Sequence, residues 1–127
     1  AYDFHKNPEL LEARSQILAD LLDILKSSKV ARMKYAAELE KKPQHINDLL
    51  KYWNSFWHDV LIKVGGSRAP IQNIDFSDSV KQAAEQLEIL QVHEVLSNLE
   101  HAEVILSQNA NTRLTLENLL LQIPTTR

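Results

Sequence analysis

Five histidines are the residues of this 127-residue chain whose type could hold a metal ion. A zinc site needs three or four ligands brought to one point. His93 and His101 stand eight residues apart, and no carboxylate or third histidine at helical spacing completes a ligand set with both. They read as solvated helix histidines, and no cofactor is expected. Trp57-His58-Asp59 sets a possible base beside a carboxylate. Successive residues on a helix point in different directions, however, and no serine or cysteine nucleophile sits at a useful spacing. Gly65-Gly66 follows a helical segment and is not trailed by the Lys-Ser/Thr of a phosphate loop, which excludes nucleotide binding by that device. No catalytic constellation emerges.

Charge offers a weaker signal. Fourteen Lys and Arg against seventeen Asp and Glu leave a net charge of −3, with no global pull toward nucleic acid or an acidic membrane. The local balance is uneven. Lys26, Lys29, Arg32, Lys34, Lys41 and Lys42 outweigh Glu38 and Glu40 by +4, while residues 78–117 carry −5. The basic 26–42 stretch is either a solvated helix face or the contact of a free-standing adaptor that binds nucleic acid or protein. The chain has no cysteine, so disulfides and thiolate metal sites are excluded, and a reducing cytoplasm is the expected setting. It has no apolar run of membrane-spanning length and no signal-peptide pattern, so no membrane partner is expected.

The elements that must position these residues are helical. Apolar residues recur at steps of three and four almost throughout, and two glycines and four prolines supply little turn material for a β fold. The reading is all-α, a single bundle of about six helices. The first runs from about Pro8 to Lys26, capped by Asn7, with Leu10, Leu11, Ile17, Leu18, Leu21, Leu22 and Leu25 as its buried stripe. The second, from about Lys29 to Lys41, sets Val30, Met33 and Ala37 on one side before Pro43. The third has the cleanest periodicity: Ile46, Leu49, Leu50, Trp53, Phe56, Trp57, Val60, Leu61 and Val64, closed by Gly65-Gly66. Residues 67–75 then form an ordered connection, with Asp75 or Ser77 capping a fourth helix that buries Val80, Ala83, Ala84 and Leu87. A fifth spans about Ile89 to Ser107, with Val92, Val95, Leu96, Leu99, Ala102, Ile105 and Leu106 inward.

Asn109 and Asn111 read as caps, the first ending the fifth helix and the second opening the last. That last helix carries Leu114, Leu116, Leu119, Leu120, Leu121 and Ile123, which cannot all point to one side. It is therefore either a central core helix or an interface. As an interface, Arg113, Leu116, Glu117, Leu120 and Gln122 would meet the neighbouring subunit, and Leu114, Leu119 and Leu121 would lean inward.

Two segments carry a family resemblance. In residues 52–75, a tryptophan and the basic position His58 precede Asp59, a short aliphatic run and Lys63-Val64-Gly65, followed by Asn73-Ile74-Asp75. In residues 96–123, a helix pair is joined by Asn109-Ala110-Asn111 and continues as Leu114-Thr115-Leu116-Glu117-Asn118-Leu119-Leu120-Leu121. Both resemble signatures of the C-terminal domain of the delta-prime subunit of bacterial DNA polymerase III, in the clamp-loader family. His58 stands where that family often has Arg.

The resemblance implies a collar domain. It would hold its subunit beside the gamma/tau and delta subunits in a pentameric ring that loads the sliding clamp onto primed DNA. The clamp and DNA would be met only through the whole complex. It also implies an N-terminal AAA+ module on the same polypeptide. The opening Ala1-Tyr2-Asp3-Phe4-His5 fits a domain excised from such a protein. No enzyme activity is expected of this piece, the polymerase and clamp-loader ATPase activities belonging to the parent complex. Apolar collar surface freed from its ring would be able to give a homodimer without physiological meaning.

Overall fold

The computed structural model describes residues 8–108 and 111–126, and these form a bundle of six α-helices with no strand among them. They are α1 (Pro8–Leu25), α2 (Lys29–Glu40), α3 (Pro43–Val64), α4 (Ser77–Gln86), α5 (Ile89–Ser107) and α6 (Thr112–Gln122), with a single 3-10 turn, Ile74–Phe76, leading into α4. The expected caps Asn7 and Asn109 and the side chain of Leu10 lie outside the described residues.

α3 is the central element. Its apolar residues recur at steps of three and four, and Trp53, Phe56, Trp57 and Val60 are fully buried, with Leu49, Leu50 and Ile46 beside them. α1, α2, α4 and α5 all pack on it. Trp53 stacks on Tyr35 of α2 with ring centroids 6.3 Å apart, and its indole N–H donates to the Ile17 carbonyl of α1 at 3.2 Å. Phe56 meets Trp57 edge to face at 5.8 Å. α6 lies against α2 and α5 on the far side.

Helix ends are set by local chemistry. The Ser28 hydroxyl caps α2 by accepting from Ala31 N at 3.2 Å. α3 starts one turn before the first residue of its apolar stripe, because Pro43 occupies the first turn, where its missing N–H costs nothing. The same proline that cannot continue α2 thus opens α3. At the other end Gly66 adopts φ +72°, the Gly66 N–H donates to the Lys63 carbonyl at 3.2 Å and the Ser67 N–H to the Ile62 carbonyl at 3.1 Å. This pairing closes a helix with a left-handed residue, which glycine enters without strain. Only Leu87 and Glu88 separate α4 from α5, and Glu88 and Gln91 form a reciprocal capping box.

Three expected elements differ in detail, the first being α1, where Leu11 of the expected buried stripe is 41% exposed. α2 does not turn Val30, Met33 and Ala37 to the core: Arg32, Ala36 and Leu39 are buried, and Val30 is 66% exposed. Hydrophobic spacing alone would not choose a face containing an arginine. Arg32 is accommodated because it donates to the carbonyls of Leu120 and Ile123 at the end of α6, and Pro124 O and Thr125 Oγ1 lie at 3.4 Å. The last carbonyls of a helix lack partners further along it, so the terminal nitrogens of a buried guanidinium bond to them. Burial holds the Arg32 pKa below its ordinary value. The third difference is at α4, which neither Asp75 nor Ser77 caps by side chain. The 3-10 turn feeds directly into the helix, and the Asp75 carboxylate is engaged elsewhere.

Candidate assembly surface

Asn111 ends the short connection between α5 and α6 and caps α6, its side-chain oxygen accepting from Leu114 N at 3.0 Å. This cap fixes the rotation at which α6 begins. Leu116, Leu119 and Leu120 then fall inward, with Leu116 and Leu120 fully buried and Ile123 closing the stripe at 3% exposure. Asn111→Ala should lower stability by about 1 kcal/mol, the usual cost of an N-cap, as read from the urea midpoint.

The expected contact set therefore divides. Leu116 and Leu120 are core residues of this bundle, whereas Leu114 and Leu121, expected inward, are 54% and 42% exposed. Leu119 is inward as expected. The reason is geometric. α6 is gripped on two sides, by α2 and α5, and the outward strip is whatever lies between them. Positions 114, 118 and 121 are steps of four and three, so Leu114, Asn118 and Leu121 share one line along the helix, with Gln122 beside them. Val104, near the end of α5, is another exposed apolar side chain at 50%.

Arg113 and Glu117 are half-buried at the edge of this strip. Arg113 Nε lies 3.6 Å from Glu117 Oε2, and Nη1 lies 4.0 Å from Glu40 Oε1 of α2. These are ion-pair distances without hydrogen bonds, in partly exposed positions, and pairs of this kind contribute little stability. Their value is in keeping a charged rim around apolar residues.

The basic 26–42 stretch is depleted as a contact surface. Arg32 is 3% exposed and occupied by α6, while Lys26, Lys29, Lys34, Lys41 and Lys42 stay exposed, Lys41 at 3.5 Å from Glu38. His45, His58, His93 and His101 are exposed on helix surfaces, and no group of three or more His, Asp or Glu among the described residues is placed to hold a metal ion. No helix is long and apolar enough to cross a membrane among the described residues.

What sequence reading did not anticipate is a polar network that ties α3 and α1 to the connection between α3 and α4. Asp59, 1% exposed, accepts from Gln72 N at 2.9 Å, Asn73 N at 2.8 Å and Asn73 Nδ2 at 2.7 Å. Asn73 Nδ2 also donates to Ser55 Oγ at 3.1 Å, and Asn73 Oδ1 accepts from Arg14 of α1 at 2.6 Å. Arg14 forks onto both carboxylate oxygens of Asp75 at 2.8 and 3.0 Å and sits over the Phe76 ring at 5.8 Å. Asp59, Asn73 and Asp75 thus belong to one polar network, which fastens the connection to α3 and α1.

Arg14 holds the Asp75 carboxyl below its ordinary pKa, chiefly through the hydrogen bond, with desolvation opposing and Arg14's charge adding to the lowering. The folded value lies below the unfolded one, so the stabilisation is complete above the unfolded pKa and is lost as pH falls through the folded pKa. The expected result is an acid-limb loss of stability beginning near pH 4 that is reduced in Asp75→Asn, with no pH dependence from this pair between pH 5 and 7. Urea titrations of both chains across pH 2.5–7 check it.

Comparison with curated proteins finds no match, and comparison with solved structures finds none. A family model does match, the one described as DNA polymerase III, delta subunit, C terminal, over residues 8–125. All six helices, the network and the outward strip of α6 fall within the matched span, and the chain belongs to that family.

Proposed function

We propose that this bundle is the subunit-assembly domain of a bacterial clamp loader's delta-prime subunit, acting in the cytoplasm as part of the ring's collar and without catalysis of its own. The observation that carries the reading is the family membership, joined to an exposed apolar line on the same helix that closes the family's ending motif. Delta-prime is favoured over delta by the motifs in residues 52–75 and 96–123. In this reading an AAA+ module precedes the bundle on the same polypeptide, and the clamp and primed DNA are reached only through the complex. The neighbours are gamma/tau and delta.

The contact face is the α6 strip: Leu114 and Leu121 as apolar anchors, with Arg113, Glu117 and Gln122 as polar rim. Interfaces draw most of their free energy from a few desolvated apolar anchors, and rim charges tune orientation. Leu114→Glu together with Leu121→Glu should weaken association with the gamma/tau collar domain about ten-fold or more by calorimetric titration, while the thermal midpoint of the free domain stays unchanged. A fall in both would mean that the two leucines serve the bundle and not a partner. Ring position is tested by competition: full-length delta-prime should displace the chain from a reconstituted collar, and delta should not. Displacement by delta alone would assign the chain to the delta position, the subunit for which the matching family is described.

A further inference from the structure

α1 is held to the bundle in two different ways along its length. From Ile17 onward it is part of the core: Leu18 and Leu21 are fully buried, Ile24 and Leu25 nearly so, and the Trp53 indole grips the Ile17 carbonyl. Before Ile17 the buried contact made by the described side chains is polar. Glu9, Leu11, Glu12, Ala13 and Gln16 are exposed and Ser15 is half-buried, so Arg14, 7% exposed, is the buried side chain among those described between residues 9 and 16. Its partners, Asn73 and Asp75, sit on a connection that Asp59 in turn fastens to α3. A charge-assisted fork of this kind, with one partner buried, is stronger than a neutral hydrogen bond and directional.

From this we infer that Arg14 is a clasp for a lever: the first two turns of α1 dock on the bundle through Arg14's bonds to Asn73 and Asp75, and pivot near Ile17 when those bonds are broken. The consequence is conformational. Whatever enters the bundle through Pro8 takes its direction from a clasp that opens without unfolding the core. The Asn73 amide makes the clasp dependent on α3 as well as α1, because it accepts from Arg14 through Oδ1 and donates to Asp59 through Nδ2. Local opening of this sort has its own equilibrium, separate from global unfolding.

Hydrogen exchange followed by mass spectrometry tests it in the 127-residue chain. Amides 12–16 are the reporters, since the first N–H groups of a helix are unprotected in any case. In Arg14→Met, which keeps an apolar stem over Phe76, these amides should exchange about ten- to hundred-fold faster, with α3 and α5 unchanged. Asp75→Asn, which keeps the side chain's size, should shift the same amides in the same direction by less, and it serves where Arg14→Met fails to fold. Unchanged exchange at 12–16 in Asp75→Asn, or acceleration spread equally over α3 and α5 in either variant, overturns the lever. Either result would make Arg14 a general stabiliser of the whole bundle.

Discussion

Arg32→Ala should destabilise the bundle by about 2–4 kcal/mol, among the largest effects expected of any polar residue here. Arg32 is 3% exposed and serves four acceptors contributed by residues 120–125. Truncation leaves the Ile123 carbonyl without its donor, and the Leu120 carbonyl with only the Ile123 N–H at 3.4 Å, in a place where water enters with difficulty. Leaving a buried acceptor unpaired costs more than the net worth of the bond it made. The damage should be felt along the α2–α6 contact and in the tail, whose Thr126 N–H donates to the Leu25 carbonyl at 2.7 Å. Arg32→Lys is expected to recover only part of the loss, because one ammonium cannot serve both the Leu120 and Ile123 carbonyls reached by Nη1 and the Pro124 and Thr125 oxygens reached by Nη2. Guanidinium titration by circular dichroism measures the series. A loss in Arg32→Ala below about 1 kcal/mol would show that the carbonyls find other donors.

Asp59→Ala should cost a similar amount, about 3 kcal/mol, by stranding three donors at once. Gln72 N, Asn73 N and Asn73 Nδ2 all converge on this carboxylate, and Asn73 is itself 3% exposed. Asp59→Asn should fall between, since its amide oxygen keeps one acceptor while its NH2 group faces other donors. Distinguishing this loss from that of Arg32 is simple in principle. The Asp59 change loosens the connection at residues 67–76, whereas the Arg32 change loosens residues 120–126. The two sites lie in separate networks, so their costs should add in the double variant to within about 0.5 kcal/mol. A large departure from additivity would mean that the α3–α4 connection and the α6 tail are coupled through the core.

Helix number and most of the core were legible because period and burial are the same fact for apolar residues. The stripe of α3 from Ile46 to Val60 is buried as its spacing predicts, and the inward set of α5 is buried or half-buried. Legibility failed wherever a polar residue took an interior position. Arg14, Arg32, Asp59 and Asn73 are buried, and each is there because backbone groups or an opposite charge are waiting for it. Nothing in hydrophobic spacing announces such a partner. The face of α2 was misread for that reason, and so was the cap of α4, whose candidate Asp75 is committed to Arg14.

The proposed assembly surface shows a different limit. A helix with leucines on every side declares that more than one face needs cover, but not which. Rotation is decided by neighbours far away in sequence: α2, some 80 residues earlier, and α5 together claim Leu116, Leu119 and Leu120. Leu114 and Leu121 are left outside. The signal that would have found them is the Asn111 cap, since steps of four and three from Leu114 reach Asn118 and Leu121. A polar Asn118 between two leucines marks a line that no core position would tolerate unpaired.

Association is the central claim, and light-scattering chromatography of this chain mixed with the collar domains of gamma/tau and delta from one organism tests it most directly. A stable mixed species with the mass of a ring, lost when Leu114 and Leu121 are both changed to Glu, is the predicted result. A chain that elutes alone, under conditions in which the other collar domains assemble without it and full-length delta-prime joins them, would contradict it.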